Sequence, residues 1–261
     1  MRALKIAATG MEAQQMRVEV ISNNLANMST TAYSPRRAEF ADLHYEQAQR
    51  AGAVTAANGA VLPAGVQLGL GVRASAVSVD VAQGSLRETG GDLDLAIEGS
   101  GYLEILLPSG LSAYTRDGAL KRDGDGRIVT SDGYPVIPEI TIPPDARSIS
   151  INADGEVFAY FDDEVNGQRL DRFTLASFAN QKGLEAIGGN LFLETEASGP
   201  PAVGDAGTEG RGTFRQGFVE ESAVDAVREI TRLIEAQRGY ELNAKVITAA
   251  DQMLAATAQV R

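Results

Sequence analysis

Histidine occurs once in this chain, at His44, and cysteine not at all. A two-histidine metal site, a histidine relay, thiolate catalysis, disulfides and cysteine-ligated zinc are therefore out of reach. His44 sits beside Tyr45 and Glu46, a setting that reads as structural or exposed rather than catalytic. Asp123-Gly124-Asp125-Gly126 opens like a calcium loop but lacks a third oxygen-bearing position and a closing glutamate. Asp-Gly supplies the positive backbone angles of a tight hairpin, so these residues read as a turn. Gly65, Gly69 and Gly71, or Gly99 and Gly101, are too sparse to cradle a phosphate, and no helix follows either group. Asp162-Asp163-Glu164 beside Asn166-Gly167 reads as a solvated loop. No catalytic constellation, metal site or cofactor site assembles from these residues, and catalysis is not expected.

The residues whose spacing carries information are apolar and lie at the two ends. Leu4, Met11, Val18 and Leu25 recur every seven residues, shadowed three positions later by Ala7, Gln14, Ile21 and Met28. Leu233, Tyr240, Ile247 and Leu254 keep the same step, shadowed by Ile230, Gln237, Ala244 and Asp251. A seven-residue repeat split three and four keeps one stripe facing a partner helix, as in a coiled coil. Gln14 and Gln237 occupy seam positions, where polar residues set register and partner choice at a cost in stability. Such helices could simply cover their own domain core. Here they flank a middle able to close a core by itself, which favours self-association.

The elements follow from these patterns. Residues 2 to about 28 read as one helix of ~40 Å, ended by Asn27-Met28-Ser29-Thr30-Thr31 and then Ser34-Pro35. From about Glu221 to Gln259 the chain returns to helix, with Ser222 as cap and Asp225 completing a weak capping box. Residues 72–217 read as β: Leu93 to Glu98 alternates cleanly, and Asp117-Gly118, Asp123-Gly124, Asp132-Gly133 and Asp154-Gly155 mark hairpins. Gln47 to Gly71 lacks helical periodicity and strong alternation, and reads as an irregular or extended arm. The expected class is α+β: coiled-coil-type N- and C-terminal helices packed together, an inserted all-β domain and an extended arm. The domains are 1–30 with 221–261 (helical assembly), 31–71 (arm or linker) and 72–220 (outer β domain).

Net charge is −12 and the pI near 4.6, which argues against wrapping nucleic acid or an anionic membrane. Residues 1–28 carry three basic and two acidic side chains, and residues 220–261 carry five and seven, so the middle holds most of the excess. No apolar run approaches the ~20 residues that cross a bilayer. Glu12, Gln14, Gln15 and Arg17 interrupt any apolar leader, so export without a cleaved signal is expected.

Ile21-Ser-Asn-Asn-Leu-Ala-Asn27, then Thr30-Thr31-Ala32-Tyr33, resembles the signature of bacterial flagellar rod and hook proteins, carried here by Asn23, Asn24, Leu25, Ala26, Asn27, Thr30, Thr31 and Tyr33. Ala32 stands where that signature usually has glycine, and Ser34 where it usually has lysine. Leu95 to Leu103, Tyr114 to Gly118 with Gly126 to Tyr134, and Gln216 to Ser222 with Gln237 to Glu241 are similar to further family motifs, in the family's order. Leu62 to Arg73, Ile140 to Pro143 and Gly188 to Thr195 resemble stretches of the subunits forming the distal section of the rod, with proximal rod subunits the alternative.

The resemblance implies a non-enzymatic subunit of a hollow helical rod in the periplasm, within the flagellar basal body. Such a rod transmits torque to the hook and conducts exported subunits. Implied partners are further copies of the chain, proximal rod subunits, the hook protein, the ring bushing of the outer envelope and the flagellar type III export apparatus. Ten residues are assigned to self-assembly: Leu4, Met11, Val18, Ile21, Leu25, Ile230, Leu233, Tyr240, Ile247 and Leu254. A secreted β-domain binding module, with its site in residues 72–217, is the alternative from a different class.

Overall fold

The computed structural model describes residues 2–50, 64–162 and 167–259. The centre of the arm and Asp163-Glu164-Val165-Asn166 lie outside the described residues, as does the start of the Leu62 to Arg73 motif. The fold is α+β, with one helix at each end and a β-rich middle. The chain divides into two compact units: a helical unit of residues 1–26, 36–78 and 225–261, and a β unit of residues 27–35 and 79–224. Charge divides with them. The helical unit holds twelve basic and ten acidic residues, +2, whereas the β unit holds eleven and twenty-five, −14.

In the helical unit, α1 (Arg2–Ala26) and α2 (Ala226–Gln259) pack side by side. Helix α2 starts later than the sequence pattern suggests, because the preceding backbone is already hydrogen-bonded elsewhere. The Glu221 N–H donates to the Ser85 carbonyl at 2.8 Å, and the Ala223 N–H to the Tyr33 carbonyl at 3.0 Å. Asp225 rather than Ser222 takes the capping role, accepting the Arg228 N–H at 3.1 Å.

Four strands complete this unit: β1 (Arg36–Asp42), β2 (Tyr45–Gln49), β3 (Val66–Gly69) and β4 (Val72–Val79). β1 pairs with β4, and β2 pairs antiparallel with β3, Tyr45 opposite Gly69. The two ends of the stretch expected as an irregular or extended arm are thus paired as strands. Every residue of β2 is exposed, so neither face carries the alternation by which a strand is recognised in a sequence. At the foot of this ribbon Gly71, at φ 116°, sits so close to α1 that a Cβ there would lie 2.2 Å from Thr9 Oγ1. Only glycine fits both the angle and the space.

The β unit is built from short antiparallel strands, beginning with β5 (Leu86–Glu88), β6 (Leu95–Glu98), β7 (Leu103–Leu106) and β8 (Ser112–Thr115). Its largest sheet has five strands in the order Val136–Ile137, β7, β8, Leu191–Leu193, Glu185–Gly188. Leu95, Ile97, Leu103, Ile105, Phe173 and Leu175 are sealed from solvent in its core. Tyr114 packs edge-on against Phe178 in a second cluster, where burial pushes its phenol up to about 12. The Asp123 carboxylate accepts the N–H groups of Asp125 and Arg127, which makes its loop the hairpin turn expected from Asp-Gly.

Two motifs separated by a hundred residues meet in this unit. Arg116 and Glu220 form an ion pair at 2.9 Å, with side chains only 11% and 5% exposed. The guanidinium also donates to the carbonyls of Gly99 (3.0 Å) and Gly101 (2.9 Å), and Glu220 Oε1 accepts the Gly84 N–H at 2.9 Å. A buried charge pair gains little over apolar residues, but removing one partner strands the other charge and costs about 3–5 kcal/mol. Arg116→Met and Glu220→Leu should therefore each destabilise the protein by roughly that amount, and the double variant should lose far less than the sum. Urea unfolding of the four proteins would measure this; additive losses would show that the pair is not coupled.

Candidate functional site

Helices α1 and α2 run antiparallel, since contacts pair low numbers on one with high numbers on the other: Gly10 with Asn243, Gln14 with Gly239, Asn24 with Glu229. Apart from Ile21, the most buried residues between them are small or polar. Ala7, Ile21, Ala236 and Ala250 are buried, and a Cβ at Gly10 would lie 2.9 Å from Asn243 Nδ2. At Gly239 a Cβ would lie 3.1 Å from Gln14 Cδ. Both interior glycines thus mark close approach of the helices. Gln14 Oε1 is buried in this seam without a hydrogen-bond partner among the described residues.

On α2 the buried stripe is Glu229, Ala236, Asn243 and Ala250, a strict seven-residue step, with Glu229, Ala236 and Ala250 under 9% exposed and Asn243 half-buried. It lies one residue before the Ile230, Gln237, Ala244, Asp251 row. Consequently Ile230 (46% exposed), Tyr240 (46%) and Leu254 (41%) remain open to solvent in the single chain. Leu233 and Ile247 are half-buried, as are Leu4, Met11, Val18 and Leu25 of α1, and Ile21 is buried. Val18 and Tyr240 come together in an open groove with Gln15, Gln237 and Glu241. The glutamate, asparagine and alanines of the α2 stripe were not recognised from the sequence, because a search for large apolar residues passes over them.

The residues of the Asn-Asn-Leu-Ala-Asn stretch divide by task. Asn24, 1% exposed, clamps the chain where it re-enters the helical unit. Its Nδ2 donates to the Arg36 carbonyl at 2.8 Å and to Glu229 Oε2 at 3.2 Å, while its Oδ1 accepts the Arg36 N–H at 2.9 Å. Glu229 is held in turn by Arg232 at 2.6 Å. Asn23 lines a hollow with Glu19, Val20, Arg36 and Val77, and Ala26 is the last, exposed residue of α1. Asn27 through Tyr33 belong to the β unit. There Thr30 Oγ1 donates to Asn27 Oδ1 (3.1 Å), Thr31 O accepts Asn190 Nδ2 (2.7 Å), and Tyr33 N–H donates to Thr30 O (3.3 Å).

Among the described residues no group of acidic, histidine or cysteine side chains is arranged to hold a metal ion, and no helix is long and apolar enough to cross a membrane. Three family models match: "Flagella basal body rod protein" over residues 4–33, "Flagellar hook protein FlgE/F/G D1 domain" over 96–159, and "Flagellar basal body rod FlgEFG protein C-terminal" over 215–260. Similar curated proteins include the flagellar basal-body rod protein FlgG of Caulobacter vibrioides, 52% identical over 100% of both chains. FlgG of Agrobacterium fabrum is 50% identical over 97% of each, and FlgG of Borreliella burgdorferi 44% over 97% of this chain and 96% of its own.

The first of those matches ends on the turn at Ala32, which has φ 54°, is 6% exposed and donates its N–H to the Glu220 carbonyl at 2.8 Å. A left-handed backbone costs a residue with a Cβ about 1–2 kcal/mol. The buried methyl returns ~0.8 kcal/mol, and alanine stiffens the unfolded chain by roughly 0.4–1 kcal/mol relative to glycine. These terms nearly cancel, which accounts for alanine at a position suited to glycine. Ala32→Gly should change stability by less than about 1 kcal/mol, whereas Ala32→Val, branched in the left-handed well, should lose at least ~2 kcal/mol. Denaturant midpoints of the two variants would check this; equal tolerance of valine would show that the turn relaxes.

Proposed function

This chain belongs to the flagellar hook and basal-body rod protein family and is a structural subunit of the basal-body rod; we propose that its terminal helices do that work by packing against those of neighbouring copies. The polymer is a hollow helical shaft forming the distal section of the rod. It transmits torque to the hook and conducts exported subunits.

The observation that carries this reading is the division of labour on α2. Its small residues are spent on α1, while Val227 (77% exposed), Ile230, Ile234, Tyr240, Leu242 and Val246 face outward. That much apolar side chain on one helix is anomalous for a protein that works alone. Burial at ~25 cal/mol per Å² in each of many repeated contacts makes a stiff wall from individually modest interfaces. Leu4, Met11, Val18, Leu25, Ile230, Leu233, Tyr240, Ile247 and Leu254 supply this packing in a coiled-coil-like arrangement, with the buried Ile21 backing it from inside the subunit, residues 1–30 and 221–261 as the assembly domain and 72–220 as an outer layer.

Residues 47–71, within the 31–71 arm or linker, brace subunits against bending. A two-stranded ribbon such as β2–β3 is marginal alone and gains from a neighbour's support. The proximal rod subunits, the hook protein and the ring bushing are the partners at the ends and flank of the shaft. The subunit reaches the periplasm through the flagellar type III apparatus.

Two experiments test these readings. Ile230→Asp and Tyr240→Asp alter side chains exposed in the single chain, so both variants should fold normally yet fail to support rod growth; normal motility would refute the packing assignment. Deleting residues 47–69, with Gly71 retained, should give a softer or curved polymer by electron microscopy. An unchanged straight rod would count against bracing.

A further inference from the structure

The seam that α2 presents to α1, at Glu229, Ala236, Asn243 and Ala250, gives every other side chain of the helix a direction. At ~100° per residue, Val227, Ile230 and Ile234 point ~100–160° to one side of the nearest seam residue. Leu242, Val246 and Ala249 point ~60–100° to the other side. All six are exposed. Each face changes character at the middle of the helix. The first runs on from Ile234 into Gln237 and Glu241, and the second is preceded by Arg232, Glu235 and Gly239. The outward apolar surface is therefore two patches, one in each half of α2, on opposite flanks of the seam. A neighbouring helix lying along α2 covers one flank, so a single straight partner leaves one patch bare.

We propose that α2 grips two neighbours, the Val227, Ile230 and Ile234 patch of one copy seating on the Leu242, Val246 and Ala249 patch of the next. The inference rests on the reading of the protein as a self-assembling rod subunit, and names the faces of two copies that meet. The patches match in length, each spanning a seven-residue step, or ~10 Å of helix axis. They match in shape as well. The first presents β-branched side chains, which are stiff. The second sets the small Ala249 beside Val246, an opening that an isoleucine can enter as a knob enters a hole. Within one chain the patches cannot meet. Val227 and Leu242 lie on one continuous helix, ~22 Å apart along its axis. Only a second copy brings them together. Such a contact joins different surfaces, so two bound copies still offer one unused patch of each kind. Growth then continues as an open polymer rather than closing as a dimer.

Sedimentation velocity of the purified full-length protein tests this with two variants. Val227→Glu with Ile234→Glu spoils the first patch, and Leu242→Glu with Val246→Glu the second. Each variant alone should self-associate at least about tenfold more weakly than the wild type. Mixed in equal amounts, each supplies the patch the other lacks, so the mixture should form dimers that grow no further. Melting curves by circular dichroism would verify folding. If glutamate prevents it, serine at the same four positions should give the same pattern with smaller losses. Association like that of the wild type in either variant, or a mixture no more associated than its two components, overturns the proposal while leaving the rod reading intact. A wild-type protein that never self-associates would overturn both.

Discussion

Everything in the helical unit depends on how closely α1 and α2 approach each other. Gly10 against Asn243 and Gly239 against Gln14 leave little room for a further methyl group unless those side chains shift, so the helices meet mostly through small and polar side chains. Close packing of this kind holds two helices together without consuming their large apolar residues. Ile230, Ile234, Leu242 and Val246 are left on the outside. A seam built instead from leucine and isoleucine would have made a more self-sufficient monomer with less to offer a neighbour. The hydrogen bond from Asn24 on α1 to the buried Glu229 on α2 ties the register of the pair, because sliding either helix would break it, whereas Arg232 travels with Glu229 on the same helix.

The same economy of polar groups organises the β unit. Its signature residues bind backbone rather than ligands: Arg116 takes two loop carbonyls, Glu220 an N–H, and Gln216 three backbone positions through its single amide. Each closes a turn that short strands cannot close by their own ladders. Motifs that recur in a family can therefore be structural throughout. The separation of charge between the units has a different consequence. With −14 on the β unit and +2 on the helical unit, like-charge repulsion between any two copies is strong for their β units and weak for their helical units. Crowding is favoured where the apolar faces lie.

Residue spacing and turn chemistry revealed much of this in advance, because both act locally. The seven-residue step of the terminal segments is a property of a single helix, and Asp-Gly turns declare themselves within four residues. Ribbon β2–β3 leaves no local signature, since all of β2 is exposed, which removes the alternation a buried face imposes. The start of α2 is not legible in the local sequence, because the hydrogen bonds holding Glu221 and Ala223 run to Ser85 and Tyr33, far away in the chain.

The amino-acid sequence by itself determined that the ends are helical and striped, that the middle is β, and that no cysteine is present to do thiol chemistry. It also carried enough of the Asn-Asn-Leu-Ala-Asn signature to identify the family. Only the tertiary structure decided which stripe of α2 is used within the molecule and which is left over. A heptad says that a helix has a partner but not from which side that partner comes. One residue, or about 100° around the helix axis, separates Glu229 in the seam from Ile230 in solvent.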